Sequence, residues 1–154
     1  MRILVATDGS RGSGAALHFA ARLAARDART ELIVLSVEPR QGGVSVGSGF
    51  LPLRGGATGY ALSQARKILE GAARRRKAGR NEARFRLIAT RGQDEIPEAI
   101  SREADRLRAD LVVVGSEGRD TLNEWVVGGT ALRLIYVAKR PVTVVRPPRR
   151  RKVS

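Results

Sequence analysis

Five short apolar runs punctuate the chain: RILVAT (2–7), ELIVLSV (31–37), RFRLIAT (84–90), DLVVVG (110–115) and PVTVVR (141–146). Each has strand length and is rich in Val, Ile and Leu, so each predicts a β-strand. Between them the apolar residues change to helical spacing. Ala16, Phe19, Ala20, Leu23 and Ala24 share one face after the first run, and Ser10 or Ser13 is placed to cap that helix. A second helix starts from Thr58, carries Leu62, Ala65, Leu69 and Ala72 on one face, and closes near Gly79. Ile96, Ile100, Ala104 and Leu107 form a third stripe, with Asp94 as the expected cap and Pro97 in the tolerant first turn. Val127, Ala131, Leu134 and Ala138 form a fourth, which Pro141 stops.

Strands that alternate with helices, and that read as continuous apolar runs, are strands buried on both faces. The expected fold is α/β: a single-domain, open, parallel five-stranded sheet with helices on both faces and right-handed crossovers. In such sheets ligands bind beyond the carboxyl ends of the strands, where the strand order reverses. The first and fourth strands, ending at ATDGS and VVVGSEG, are expected to be neighbours across that point. The domain spans residues 1–147. Within it, residues 40–59 hold seven glycines and a proline and read as a long loop; residues 148–154 read as a basic, disordered tail.

Composition narrows the chemistry. With 154 residues the chain suits one domain that folds without staples, and with no cysteine it has neither disulfides nor thiolate chemistry. His18, the single histidine, lies in a helical pattern and reads as a surface or packing residue. No apolar run approaches the roughly twenty residues that span a bilayer, and MRILVAT opens directly as a strand without signal-peptide character, so a cytoplasmic location is expected. Lysine and arginine number 29 against 15 acids, a net charge of +14. The basic clusters at 74–80 and 146–152 lack interleaved aromatics. They read first as solvated surface, with a nucleic-acid contact through the tail as the alternative.

The glycines after the fourth strand raise the sharper question. Gly115, Gly118 and Gly128 follow a GxxGx9G spacing that is neither a Walker loop nor a dinucleotide fingerprint. One reading lets the backbone at Gly115 and Gly118 approach a sugar and phosphate, while the helix opening at Gly128 offers free amides to the anion. The other gives these glycines only tight turns and helix packing, and spacing does not choose between them.

The opening ILVATDGSRGSGAAL, the central LVVVGSEGR, the GxxGx9G spacing and the closing PVTVVR together resemble the universal stress protein family from residue 2 to about 147. The resemblance implies strand order 3-2-1-4-5 and a homodimer paired through strand 141–146. It also implies an ATP site in which Asp8 lies near adenine or ribose, Val37 faces the base, and Gly115 lies against ribose and phosphate. Gly118 and Gly128 would admit the phosphate chain, with the amides of 128 to 130 as donors. Relatives that bind ATP carry serine or threonine after the third glycine. Here Gly129 stands there and the hydroxyl arrives at Thr130. Glu117 adds a carboxylate inside the loop, which Arg119 or a magnesium ion would offset.

Glu117, Glu124 and Asp8 are the candidate bases near the loop, each with a plainer role, so catalysis beyond slow ATP hydrolysis is not expected. Trp125 reads as a packing residue. The function implied is a small stress-linked regulator that binds ATP. The alternative is a dimeric interaction module that has lost the nucleotide, for which Gly129 is the best support.

Overall fold

The computed structural model describes residues 1–39, 44–46, 49–51, 57–75, 83–117 and 127–148. Strand β1 (Arg2–Ala6) leads through a turn to helix α1 (Arg11–Ala24), then to β2 (Glu31–Pro39). Strands β3 (Val44–Val46) and β4 (Gly49–Leu51) precede helix α2 (Ala57–Arg75) and strand β5 (Arg84–Thr90). A short 3-10 turn at Gln93–Glu95 runs into α3 (Ile96–Arg106), followed by β6 (Leu111–Gly115), α4 (Gly129–Val137) and β7 (Val142–Val145).

The main sheet has five strands in the order β5-β2-β1-β6-β7, all neighbours parallel. Counted among the five predicted strands this is 3-2-1-4-5. Strand β1 is central because Ile3, Leu4 and Val5 have no exposed surface and need apolar cover above and below. Alternation across the pleat divides that cover. Leu4, Leu35, Val112 and Val114 pack with Ile100, Ala104, Ala131 and Leu134 of α3 and α4. Ile3, Val5, Val34 and Val113 pack with Ala16, Leu17 and Ala20 of α1 and Ala65 of α2. Arg66 of α2 also lies over the Phe85 ring of β5, 4.1 Å from its centroid. Tyr136 and His18 point the other way and are exposed.

Two local expectations change. Inside the segment expected as an unbroken loop, β3 and β4 pair antiparallel, Val44 with Leu51 and Val46 with Gly49, so a short hairpin interrupts it. Asp94 does not cap α3: it sits within the 3-10 turn, the position before α3 is Glu95, and no side chain caps there. The Glu95 carboxylate instead accepts from the Arg91 amide at 3.1 Å, closing the turn from outside. At α1 the capping expectation holds, with the Ser10 hydroxyl accepting from the Ser13 amide at 3.2 Å. The basic runs at 76–82 and 149–154 and the residues 118–126 lie outside the described residues.

Glu103 ties α3 to the edge strand. Its buried carboxylate accepts from Arg106 at 2.7 and 2.9 Å and lies 2.5 Å from Nε of Arg86 on β5. The hydrogen bond from Arg106 is the main reason its carboxyl titrates below the ordinary 4.5; burial opposes the shift, and the positive charges of Arg86 and Arg106 add to it.

Where α1 begins, helix and strand meet backbone to backbone. A Cβ on Gly12 would fall 2.2 Å from the Glu117 carbonyl oxygen, and one on Gly115 would fall 2.3 Å from the Gly12 carbonyl carbon. Neither position has room for a side chain. Gly129, at the start of α4, is different: a Cβ there would meet none of the described residues within 4 Å.

Two expectations follow from these contacts. Because the folded carboxyl of Glu103 is depressed, its stabilisation is complete above the ordinary carboxyl value of 4.5 and is lost as pH falls through the lower folded value. Thermal melts across pH 7 to 3 should therefore show wild type above Glu103→Gln at neutral pH, with the gap closing below pH 4.5. In the second case, alanine in place of glycine in a helix ordinarily adds about 0.5–1 kcal/mol. Gly12→Ala should instead destabilise by about 1–3 kcal/mol, as overpacked sites do, while Gly129→Ala should leave the melting temperature unchanged or raised.

Candidate functional site

The carboxyl ends of β1 and β6 lie side by side, with β2 joining β1 on one flank and β7 joining β6 on the other. Chains leaving β1 and β6 turn to opposite faces, and a cavity of about 290 Å³ opens between them. That is near the lower end of the roughly 300–1,000 Å³ typical of small-molecule sites. Its position is the switch point expected of an open parallel sheet.

Its walls are built from five pieces of chain. Strand β1 supplies Ala6 and then Thr7 and Asp8; β2 supplies Val37; β6 supplies Val114 and Gly115, then Glu117; and the start of α4 supplies Gly128, Gly129, Thr130 and Ala131. Gln93, Ile96 and Ile100 close the side beneath α3. Of the eight site residues expected from the sequence, Asp8, Val37, Gly115, Gly128, Gly129 and Thr130 therefore share this cavity. Gly118 and Arg119, together with Glu124 and Trp125, lie outside the described residues.

The turn after β1 is held by hydroxyl and carboxylate bonds. Asp8 Oδ1 accepts from the Ser10 amide at 2.9 Å, and Gly9 between them has φ 79°, a left-handed conformation that suits glycine. Ser10 then donates its hydroxyl to the Glu117 carbonyl at 3.2 Å, linking the two walls. Below it the buried Thr7 hydroxyl donates to Ser13 Oγ at 3.2 Å, and Ser13 donates to the Ser10 carbonyl at 3.0 Å. The first turn of α1 is thereby fixed in place. Arg11, one residue into the helix, donates to the carbonyl of Pro148 beyond β7.

The opposite wall is the open start of α4. Gly128 precedes the helix, and its amide donates to the Ser116 carbonyl at 2.7 Å. The expectation that amides 128 to 130 act as donors therefore moves by one residue, because the first of them already has an acceptor. Gly129, Thr130 and Ala131 are in the first helical turn, whose amides have no intrahelical acceptor. With the positive end of the helix dipole they suit an anion at the cavity rim.

Gly115 also needs a different physical account. It lines the cavity, yet the space its missing side chain leaves is filled by the backbone of Gly12 and Ser13, so helix packing alone requires a glycine there. Sequence reasoning missed Thr7, Ser13, Gln93, Ile96 and Ile100 as wall residues. Thr7 was findable as the first position past β1, and Gln93 as the third past β5. Ile96 and Ile100 carry a helix stripe and look like core until the cavity is seen, and Ser13 reads as a helix cap.

Among the described residues, no three His, Cys, Asp or Glu side chains gather as a metal site, and no helix is long and apolar enough to cross a membrane.

No curated protein matches the chain. Solved structures do. A universal stress protein in complex with cAMP is 24% identical, with a TM-score of 0.66 over 96% of this chain and 98% of that one. A member of the family from Burkholderia pseudomallei is 26% identical, with a TM-score of 0.60 over 96% of both chains. The universal stress protein from Archaeoglobus fulgidus in complex with dAMP is 22% identical, with a TM-score of 0.63 over 94% of this chain and 96% of that one. The model of the universal stress protein family matches residues 1–146, which takes in every strand of the main sheet and every wall of the cavity, and the chain belongs to that family.

Proposed function

We propose that this chain is a cytoplasmic regulatory protein that binds an adenine nucleotide, ATP included, and works as a homodimer. The observation that carries the nucleotide reading is the cavity itself, where an apolar floor and a helix start stand on opposite sides. Val37, Ile96, Ile100 and Val114 offer a surface for a flat base. Asp8, held by Ser10, keeps acceptor capacity for a ribose hydroxyl or an exocyclic amine. The first-turn amides of Gly129 to Ala131 and the Thr130 hydroxyl then receive the phosphate. Relatives of the same fold that were solved with cAMP and dAMP support the choice of adenine. Gly118 and Arg119 are assigned to the phosphate end by family resemblance. Where ATP binds, magnesium would neutralise phosphate charge beside Asp8 and Glu117.

The dimer reading rests on β7 and α4. Carbonyls of Pro141 and Val145 accept from Val112 and Ser116, so by strand alternation the backbone groups of Val142 and Val144 face away from β6. Among the described residues that leaves an unpaired edge, the kind of surface a second strand covers. Beside it α4 exposes Leu132, Ile135 and Tyr136, spaced to share one face, with Tyr136 81% exposed. Three large apolar side chains on one face of a nine-residue helix suit contact with a second copy.

Two measurements test these assignments. Calorimetric titration of nucleotide-stripped protein should show saturable adenine-nucleotide binding, weakened roughly tenfold to a hundredfold in Asp8→Ala, as expected for a lost charged hydrogen bond. No binding at millimolar nucleotide would leave the interaction-module reading in the lead. For the dimer, Val144→Pro removes an outward amide and spares the β6 ladder; sedimentation should show the mass of wild type halved in the variant. An unchanged mass would refute pairing through β7.

A further inference from the structure

The five main strands are parallel, so all start at one end of the sheet, opposite the cavity, and each helix returns the chain to that end. A row of linked arginines runs across those starts. Arg84 of β5 lies 2.9 Å from the Glu31 carboxylate at the start of β2, which also accepts from Arg2 of β1 at 2.7 Å. The Arg2 guanidinium donates to the Leu107 carbonyl ahead of β6, and Arg140, ahead of β7, donates to Asp105 at 2.8 Å. Glu31 is shared by two guanidiniums, as Glu103 is by Arg86 and Arg106, so each carboxylate leaves one positive charge over. Arg26, Arg108 and Lys139, in the links that lead into β2, β6 and β7, are exposed and add to this excess. Asp27, paired with Arg29, and Asp110 offset only part of it. Residues 76–82, outside the described residues, carry Arg76, Lys77 and Arg80 against Glu82, so they do not reverse its sign.

Cations at helix ends ordinarily need no ligand, since they complement the negative end of the helix dipole. Arg108 does not fit that account. It has φ 51° and follows the last turn of α3, with its own amide bonded to the Asp105 carbonyl at 3.0 Å and the Ala109 amide to the Ala104 carbonyl at 2.8 Å. That is the position in such a helix ending that glycine usually takes, because a side chain there is strained. Here an exposed arginine is held in it.

We propose that this end of the sheet binds the phosphate backbone of a nucleic-acid duplex without regard to sequence. Five strands about 4.8 Å apart make the row about 19 Å long, a length over which a duplex carries on the order of ten phosphate charges. Arginine forks match phosphate oxygens in pairs. A bilayer surface is held through large apolar side chains beside the charges, and a single strand through aromatic stacking platforms. Among the described residues Met1 is the only large apolar side chain exposed along the row, so the duplex is the better fit.

Fluorescence anisotropy with labelled DNA and RNA duplexes of about 20 base pairs, over a salt series, tests this. It compares the wild-type chain with Arg108→Gly, with Arg108→Gly plus Lys139→Gln, and with a tail variant carrying Arg149→Ser, Arg150→Ser and Arg151→Ser. Wild type should bind at least one duplex, with affinity that falls as salt rises. The double variant should weaken that binding about tenfold and lower the salt slope by about two, a larger loss than in the tail variant. Arg108→Gly alone should bind more weakly yet melt higher, an opposition that a merely structural arginine would not produce. Binding unchanged in the double variant, or lost only in the tail variant, would overturn the proposal. So would retention on phosphatidylserine vesicles without duplex binding. Failure to bind either duplex would refute it and leave the adenine-nucleotide reading of the cavity untouched.

Discussion

The architecture turns on one contact, the backbone of α1's first turn laid against the chain leaving β6. Gly12 and Gly115 permit it, since a side chain at either would occupy the other segment's backbone. The Ser10 hydroxyl bonded to the Glu117 carbonyl reinforces it. With α1 held so close, β1 and β6 can lie as neighbours while their following chains part to opposite faces, and the gap between those chains is the cavity. Packing in the two cores then fixes the rest, because β1 has no exposed surface to spare and every helix must cover one side of it or the other.

The same contact explains why function and stability are hard to separate here. Glycine clusters beside a candidate anion site invite a ligand explanation, yet at Gly115 the helix is sufficient. Gly129 behaves in the opposite way: among the described residues nothing would meet a side chain there, so their packing does not demand a glycine at that position. The two glycines look alike in a motif and differ in physics. Asp8 and Glu117 at the cavity wall, with the helix start at Gly129, give the site both acidic groups and free amides.

Much of this was legible in the order of residues. Apolar runs and helical stripes marked all five main strands and four helices, because burial on both faces leaves strands no polar positions, and Ser10 was readable as a cap. What escaped lay where period or locality fails. Strands of three residues such as Val44–Val46 and Gly49–Leu51 are too short to show alternation, and glycine-rich composition hides them. The turn at Gln93–Glu95 displaced the start of α3 by a few residues, so Asp94 was a plausible cap with no helix to cap. The partner of Gly115 is about a hundred residues away, beyond any local pattern. Among the eight expected site residues, six met at one cavity because strand ends and helix starts are where topology gathers chain, whatever their chemistry.

The bond from the Gly128 amide to the Ser116 carbonyl has a consequence for how this architecture can diversify. It clips together the two ends of the segment between β6 and α4, so the entropy of closing that segment is met by the frame and not by the segment's own residues. Length and composition there can then vary without moving the sheet or the helix, in the way surface connections on a rigid scaffold accept change. The two ends of that connection line the cavity, so the fold accepts change between them while the core stays as it is.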